Sequence, residues 1–414
     1  MTVINAKIFT MNSSDKIIEN GFVRVKNGKI TEVGDMSAFN KAADTLYKTL
    51  PDNVRDEKTA FVHSATESEE EIIDAKGAFL YPGFIDAHSH LGMWEDSIDF
   101  EGADGNEESD PCTPQMRAID GVNPYDRAFD EALSAGVTSV MTGPGSANPV
   151  SGQIIATKTT GGCIDDMVIK APAAIKFALG ENPKKTYSQK DRTPCTRMAT
   201  AAIIREQLFT AKRYLQDKQK GESEDGEYPD FDMKCEALIP LIKGEIPAHF
   251  HAHRLDDIFT AIRIAKEFSL KLVIVHATAG YLAADRIRGE CEGVICGPII
   301  CDRCKPELSN LNVGAAGIYE KAGVLLGICT DHPEVPQKYL PLSAALCVKS
   351  GLSEYSALKA ITSNAARLCG IFDTVGSIEP GKDADMCIFD GAPLALANSP
   401  KAVFVNGKAV IKNA

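Results

Sequence analysis

The central part of the chain alternates short apolar runs with amphipathic stretches, and this pattern limits the possible fold more than any other feature. Helical stretches such as RLDDIFTAIRIAKEF lie between several of the runs. Strands and helices alternating over about 250–290 residues fit a (β/α)8 barrel, whose reactive residues lie at the carboxyl ends of the strands. The eight runs are GFIDAHSH (83–90), VTSVMTGPG (137–145), GQIIATK (152–158), AAIKFALG (173–180), IPAHFHAH (246–253), LVIVHA (272–277), GVICGPII (293–300) and LLGICTDHP (325–333).

Both ends of the chain have the residue pattern of β-strands. Residues 1–35 alternate apolar and polar side chains, and Asn27-Gly28 is placed as the turn of a hairpin. Residues 384–414 repeat this pattern, with a second hairpin predicted at Asn406-Gly407. The simplest account is one small β domain to which both termini contribute.

These patterns predict an α/β protein with two domains. A discontinuous β-sandwich domain is expected from residues 1–80 and 381–414, and a (β/α)8 TIM-type barrel is expected from residues 81–380. The polar and acidic stretch 40–72 is predicted to be a mobile surface insertion, because it contains few residues that could pack in a core.

The charge of the 414-residue chain argues against several classes of partner. There are 44 Lys and Arg residues against 57 Asp and Glu residues, giving a formal net charge of −13. A nucleic-acid-binding protein needs a basic face, and no block rich in Lys and Arg occurs, so no nucleic-acid partner is expected. The sequence has no long apolar run and no recognisable secretion signal at its start, so we expect a cytoplasmic protein without a membrane partner.

The cysteines are predicted to be reduced thiols, because twelve in a chain of this length are too dilute for a disulfide scaffold. Cys291, Cys296, Cys301 and Cys304 lie close together in sequence. A structural zinc site usually has two closely spaced pairs of ligands, whereas the spacing from Cys291 to Cys296 is wide. Cys296 also lies in a run predicted to be a buried strand, where a thiol packs as a small apolar group. Buried thiols are therefore expected here rather than a metal site.

Histidines lie at the ends of the predicted barrel strands. Residues i and i+2 of a strand share a face, so His88 and His90 can both reach one metal ion. A single histidine in such a place is more often structural, but His or Asp at four strand ends makes that interpretation a poor one. The residues are His88 and His90 in the first run, His249, His251 and His253 in the fifth, His276 in the sixth, and Asp331 and His332 in the eighth.

With this set, the sequence resembles the amidohydrolase superfamily over nearly its whole length. PGFIDAHSH (82–90) is similar to the opening motif of that superfamily. HFHAHRLDDIFTAIRIAKEF and LVIVHATAGY resemble the fifth and sixth strands of the branch related to imidazolonepropionase and metal-dependent prolidase, and GSIEPGKDADMCIFD resembles the return to the β domain. The HxH pattern alone is weakly specific, whereas the full set of motifs in this order is highly specific.

The resemblance implies a divalent metal site. His88 and His90 would bind one ion, and His251 and His276 match the ligands of the fifth and sixth strands. Asp331 would contact the metal and carry a proton from the bound water to the leaving nitrogen. Such an ion lowers the pKa of its water to about 7 and polarises a carbonyl group, so that hydroxide can attack at neutral pH. Zinc is the ion expected first, with one or two ions per chain, although the ligands also suit Mn, Fe or Ni.

Lys176 lies in the fourth run, where neither Asp nor Glu occurs, and the prolidase-like branch has a similar Ile-Lys pair at this place. Two dications about 3.5–4 Å apart need an anion between them. Nearby cations lower the pKa of a lysine, and its neutral amine can then add CO2 to become a carbamate. Lys176 is therefore predicted to be a carboxylysine that bridges two ions. The alternatives are a single ion with Lys176 outside its ligand set, or a bridge formed by Lys158 or Lys170.

The other residues of the fifth run are assigned to different roles. His249 is expected to be a core histidine one layer below His251. His253 and Arg254 lie at the predicted rim and are assigned to substrate binding, because an arginine there suits bidentate binding of a carboxylate. An ion pair of Arg254 with Asp256 or Asp257 is an equal alternative.

The sequence therefore predicts a metal-dependent amidohydrolase with a small-molecule substrate. The enzyme would cleave a C–N bond of a cyclic amide, an N-acyl amino acid or a dipeptide by attack of metal-bound hydroxide. One alternative is a deaminase of a small heterocycle, which would release ammonia. The other is a non-catalytic barrel homologue, which would have lost ligands that this sequence retains. A homo-oligomer is expected, and the substrate itself is not predicted because specificity depends on the loops.

Overall fold

The computed structural model describes residues 1–41, 71–95, 99–222 and 227–412, which form two eight-stranded sheets and the helices that surround one of them. Most of the predicted insertion at 40–72 lies outside these residues. The strands are β1 (Thr2–Phe9), β2 (Ile17–Lys26), β3 (Lys29–Asp35), β4 (Ile72–Asp74), β5 (Phe79–Pro82), β6 (Phe84–Ser89), β7 (Val137–Thr142), β8 (Val150–Lys158), β9 (Val168–Ala178), β10 (Ala248–Ala252), β11 (Leu272–His276), β12 (Gly293–Cys296), β13 (Leu326–Ile328), β14 (Met386–Phe389), β15 (Ala402–Val405) and β16 (Lys408–Lys412).

The helices follow the barrel strands, and the helix Leu255–Phe268, labelled α6, shows how sequence determines them. Its apolar residues recur at helical spacing and are buried. Asp256 and Asp257 lie in the first turn, where their negative charges interact favourably with the positive end of the helix dipole. None of the helices in the described ranges has the length and apolar character needed to cross a bilayer. The α-helices whose bounds lie within the described residues are α1 (Ala128–Ser134), α2 (Ile164–Met167), α3 (Glu181–Ser188), α4 (Arg197–Gly221), α5 (Met233–Ile242), α6 (Leu255–Phe268), α7 (Ala284–Ile287), α8 (Ala315–Ala322), α9 (Leu340–Lys349), α10 (Glu354–Ala360) and α11 (Ser363–Leu368).

One sheet is a nearly closed barrel in which β6 to β13 are ordered as they occur in the chain. Its first and last strands meet through backbone hydrogen bonds just beyond β13. The N–H of Asp331 donates to the carbonyl of His88 (3.2 Å), and the N–H of His90 donates to the carbonyl of His332 (2.9 Å). The predicted fold class, an α/β protein with a TIM-type barrel, is confirmed.

The third barrel strand, β8, runs antiparallel to both of its neighbours, which differs from the regular alternation of strands and helices that we expected. Only residues 143–149 separate β7 from β8, whereas a parallel crossover needs about a dozen residues or more. The reversed strand places Lys158 at the opposite end of the barrel, where its Nζ lies 2.8 Å from Asp383 and 2.5 Å from Asp385. The alternative that assigned the metal bridge to Lys158 is therefore wrong.

The second sheet joins both ends of the chain in the order β16-β15-β14-β5-β1-β2-β3, with β4 beside β1. Both predicted hairpins are present. Asn27-Gly28 connects β2 to β3 and Asn406-Gly407 connects β15 to β16, and all four residues have the positive φ that a type I′ turn requires. The shared terminal β domain is confirmed, while its boundaries at residues 80 and 381 stay a prediction.

The terminal sheet packs on the barrel through aromatic side chains. Phe389 of β14 is 1% exposed, and its ring lies 5.8 Å from that of Phe84 in β6 and 6.2 Å from that of Tyr81 in β5. Strand β14 also lies between β15 and β5 in the sheet, so it bonds to neighbours on both sides. The C-terminal strands therefore contribute to the core and do not form an appendage.

Deletion of residues 384–414 is expected to produce an insoluble or aggregated protein, because it exposes β5 and the apolar side chains that Phe389 covers. Solubility and size-exclusion chromatography measure this effect. A matched pair of point variants removes an apolar side chain without shortening the chain. Phe389→Ala should lower the free energy of unfolding by about 3–5 kcal/mol, whereas Leu396→Ala, at a side chain that is 88% exposed, should change it little. A soluble and active truncation would contradict the shared domain.

Candidate active site

The candidate site lies at the end of the barrel where the strands other than β8 have their carboxyl ends, as in other TIM-type barrels. Strands β6, β9, β10 and β11 contribute residues, and the segment after β13 adds one more. All of these residues are buried except Asp331, which is partly exposed. They are His88, His90, Lys176, His251, His276 and Asp331.

A first group of metal-ligating atoms surrounds Asp331. Ligand atoms of His88, His276 and Asp331 all lie within 4.8 Å of one another. Asp331 Oδ1 is 3.3 Å from His88 Nε2 and 3.4 Å from His90 Nε2. Lys176 Nζ lies 3.0 Å from the same nitrogen of His88. Four distant parts of the chain, at residues 88–90, 176, 276 and 331, thus meet in one cluster.

A second group consists of three imidazoles. Ligand atoms of His251, His253 and His276 lie within 4.8 Å of one another, and neighbouring ring centroids are 4.6 Å apart. His276 belongs to both groups, so the two groups are adjacent. The donor atoms are of the kinds that zinc and similar divalent ions bind, and their arrangement can accommodate one ion or two.

Backbone carbonyls orient two of these imidazoles. Nδ1 of His90 lies 2.7 Å from the carbonyl oxygen of Gly143, and Nδ1 of His276 lies 2.6 Å from that of Gly297. A carbonyl can only accept a hydrogen bond, so Nδ1 of each ring carries the proton and Nε2 keeps its lone pair. Metal-ligating histidines are commonly held in this way by a partner at the other ring nitrogen.

Burial determines the protonation of the cluster. It lowers the pKa of His88 and His251 well below the usual value and lowers that of His276 to about 4, so these rings are neutral at pH 7 and can donate lone pairs. Burial raises the pKa of Asp331, but the neighbouring His276, His88 and His90 outweigh this effect and hold the pKa well below its usual value. Burial also lowers the pKa of Lys176 to about 8.

A buried carboxylate, Asp86, joins β6 to the segment that carries Asp331. It accepts hydrogen bonds from the Thr330 hydroxyl (2.5 Å), the Gln337 side-chain amide (2.5 Å) and the backbone N–H of His88 (3.3 Å). These bonds fix the backbone on both sides of the cluster. Asp86 belongs to the PGFIDAHSH motif, but its structural role was not part of the sequence prediction.

Two of the candidate ligands have strained backbone conformations. His276 has φ of +73° and Asp331 has φ of +56°, in the left-handed region that residues other than glycine seldom adopt, although Asn, Asp and His do so more often than the rest. Such strain costs on the order of 1–3 kcal/mol per residue and is found mainly at functional sites. His276 is the last residue of β11, and Asp331 lies shortly after the end of β13. Both side chains belong to the cluster.

The cluster opens into a pocket of about 410 Å³. Two polar residues of the pocket wall, Asn182 and Lys305, were missed by the sequence prediction, as was Glu307 behind it. Glu307 is almost fully buried, and its Oε1 lies 2.8 Å from Lys305 Nζ and 3.7 Å from His253 Nε2. These residues belong to the segments after β9 and β12, where no regular spacing marks them.

The remaining residues of the fifth run have different surroundings. His249 is fully buried, burial lowers its pKa to about 3, and its Nε2 lies 3.3 Å from the carbonyl of Leu368, as expected for a core histidine. His253 is in the cluster. Arg254 is exposed outside the pocket lining and donates two hydrogen bonds to Asp256 (2.9 and 2.8 Å), so the structure shows the ion-pair alternative and does not bring Arg254 to the site.

Lys170, the other alternative for the metal bridge, is also outside the cluster, since its Nζ donates to the carbonyl of Gly370 (3.4 Å). The cysteine cluster is divided. Cys296 is buried in β12 as predicted, whereas Cys301 and Cys304 line the pocket mouth. All of these cysteines are free thiols, and the groups of possible metal ligands found among the described residues contain none of them.

Together, the fold and the site define a TIM-type barrel protein with buried imidazoles and a carboxylate at the carboxyl ends of its strands. The model of the amidohydrolase family matches residues 79–410, and the chain belongs to this family. An amidohydrolase from Thermotoga maritima MSB8, known from a crystal structure, is 37% identical in sequence to this chain. The two structures align over the full length of both chains with a TM-score of 0.88.

Two curated relatives align with most of this chain. The amidohydrolase tasK of Hapsidospora irregularis is 27% identical over 374 residues, which are 82% of this chain but 37% of that protein. The imidazolonepropionase of Geobacillus kaustophilus is 25% identical over 394 residues, which are 90% of this chain and 84% of that enzyme. This chain thus spans little more than a third of the first relative and most of the second. The predicted family is confirmed, while the individual residue roles stay predictions.

Proposed function

We propose that the protein is a metal-dependent hydrolase that cleaves a C–N bond of a small amide. The observation that carries this proposal is the meeting of neutral imidazoles with the Asp331 carboxylate at the bottom of a pocket in an amidohydrolase barrel. The proposed ligands are His88, His90, Lys176, His251, His276 and Asp331, with zinc as the ion expected first and His253 beside them.

The residues fit such an ion. Buried neutral imidazoles that retain lone pairs, together with an ionised carboxylate, form a donor set suited to a divalent metal. A divalent ion bound at this place would lower the pKa of a water molecule and polarise the substrate carbonyl.

Asp331 has the central role among the residues of the chain itself. Because its pKa is well below the usual value, its carboxylate is ionised at neutral pH and can accept the proton of the attacking water. It can then donate that proton to the nitrogen of the leaving amine, since an amine leaves far more readily once protonated. Close contacts with Nε2 of His88 (3.3 Å) and of His90 (3.4 Å) and the backbone on either side of Asp331 hold this carboxylate in place.

A screen of the zinc-loaded protein against four substrate classes tests the proposal. The classes are N-acyl amino acids, dipeptides, cyclic amides and aminated heterocycles. We expect hydrolysis within the first three, detected as a new amine or carboxylate, and no activity in protein treated with a chelator. Ammonia release from heterocycles alone would instead identify a deaminase, and no turnover in any class by metal-loaded protein would contradict the proposal. The homo-oligomeric state and cytoplasmic location stay predictions.

A further inference from the structure

We propose that Lys305 binds a carboxylate group of the substrate. This inference deepens the proposed function and rests on it: among the amides considered, it selects those with a carboxylate close to the scissile bond, which are N-acyl amino acids and dipeptides. It rests on the polar groups of the pocket wall: some of their hydrogen-bond donors have partners within the protein, and others are left for a ligand.

Lys305 has one N–H left for a ligand. An ammonium group has three N–H donors. Among the described residues, it donates one to Asn182 Oδ1 (3.1 Å), and its ion pair with Glu307 Oε1 (2.8 Å) occupies at most one more. The side chain is 26% exposed and lines the pocket, so the remaining donor is available from the pocket. A charged donor that is held in place by two partners loses little further entropy when it binds an anion.

The partners of Lys305 are themselves fixed. Glu307 is 1% exposed and accepts a hydrogen bond from the backbone N–H of Glu181 (2.9 Å) through its other oxygen. The Asn182 amide donates to the Ser146 hydroxyl (2.7 Å). This hydroxyl thereby accepts a bond, while its own hydrogen has no acceptor among the described residues. Ser146 also lines the pocket, so a second donor is available on the wall that holds Lys305.

Asn182 also sets the distance between this wall and the candidate metal ligands. Its amide nitrogen lies 3.5 Å from His251 Nε2, while its carbonyl oxygen contacts Lys305. One side chain therefore spans from the proposed anion site to the cluster. A substrate that reaches both must carry its anionic group within a few bonds of the amide, as the α-carboxylate of an N-acyl amino acid does.

The charges of the pocket lead to the same substrate class. The described residues that line the pocket include the carboxylates Asp331 and Glu334, and Lys305 is their cationic side chain besides the imidazoles and Lys176. Arg254 is engaged outside the pocket. A carboxylate that leaves water for a pocket needs a cationic partner and hydrogen bonds to offset its desolvation. Lys305 and Ser146 offer both.

The test compares an N-acetyl amino acid with its carboxamide, which keeps the scissile bond but lacks the negative charge. In Lys305→Gln, which keeps a donor for Glu307, we expect kcat/KM for the carboxylate substrate to fall about 10–100-fold, mainly through KM, and that for the carboxamide to change little. Lys190→Gln, at an exposed lysine paired with Glu108, is the matched control and should alter neither substrate. Metal content and thermal unfolding are measured for each variant, to separate a binding effect from loss of metal or fold.

Equal losses for both substrates in a metal-loaded, folded Lys305→Gln protein would overturn the proposal, as would a selective loss in Arg254→Gln instead. If the wild-type protein hydrolyses neither compound, the proposed function fails for this class while Lys305 is still testable by calorimetry. Zinc-loaded wild-type protein should then bind the N-acetyl amino acid more tightly than its carboxamide, and Lys305→Gln should lose that preference. The absence of a preference in the wild type would overturn the inference.

Discussion

Replacement of Asp331 by asparagine is expected to lower kcat by at least ~10²–10⁴-fold, the usual contribution of general acid–base catalysis. The amide keeps the size of the side chain but cannot accept the proton of the attacking water. Because Asp331 is ionised at neutral pH and lies 3.3–3.4 Å from His88 and His90, the substitution also removes the negative charge from the centre of the cluster. Steady-state kinetics at matched metal content measure the effect on the chemical step.

Asp130→Asn is the matched control. Asp130 is exposed on α1 and does not belong to the cluster, so its substitution should leave kcat unchanged. Circular dichroism and thermal unfolding show whether each variant is folded. Near wild-type turnover by a folded, metal-loaded Asp331→Asn protein would rule out this residue as the group that transfers the proton.

Lys176→Ala is expected to remove one bound ion per chain and most of the activity. Lys176 is fully buried 3.0 Å from His88, and a protonated ammonium there would repel metal ions. Its neutral amine can add CO2 with release of a proton, forming a carbamate whose negative charge can lie between two dications. Burial lowers its pKa to about 8, so the fraction of neutral amine rises as the pH rises through 8, and carboxylation in the metal-free protein should rise with it. A carbamate signal after exchange with ¹³C-bicarbonate and elemental analysis measure the two effects.

Lys170→Ala is the matched control, since Lys170 lies in the same strand and its exposed amine contacts Gly370. It should keep the full metal content and activity. Added short carboxylates such as acetate should partly restore Lys176→Ala by taking the place of the carbamate. One ion per chain in the wild type, unchanged in Lys176→Ala, would exclude the bridge and favour the alternative of a single ion.

The sequence allowed prediction of those site residues that follow from strand periodicity. His88, His251 and His276 are at or near the ends of apolar runs, and parallel strands bring such ends together, so their convergence could be foreseen. Lys176 was found because the fourth run has no Asp or Glu and because the resembling branch has a similar Ile-Lys pair. The register confirms the layering of the fifth strand, since Lys176 pairs with His249 and Ala178 with His251.

Other features depend on tertiary contacts that leave no periodic signal. The direction of β8 was missed, although the short link at 143–149 could have revealed it, since it leaves no room for a crossover helix. Arg254 was assigned to substrate binding with an ion pair to Asp256 or Asp257 as an equal alternative, and sequence position could not decide between the two; the structure shows the pair with Asp256. Lys305 belongs to an irregular loop, and its place in the pocket depends on Asn182, which is far away in the sequence.

The most direct test of the proposed function is elemental analysis of the purified protein combined with removal and return of the metal. The account predicts one or two divalent ions per chain, loss of amide hydrolysis when prolonged chelation removes them, and recovery when zinc or another divalent ion is added. Full hydrolytic activity in protein shown by the same analysis to contain no metal would contradict it.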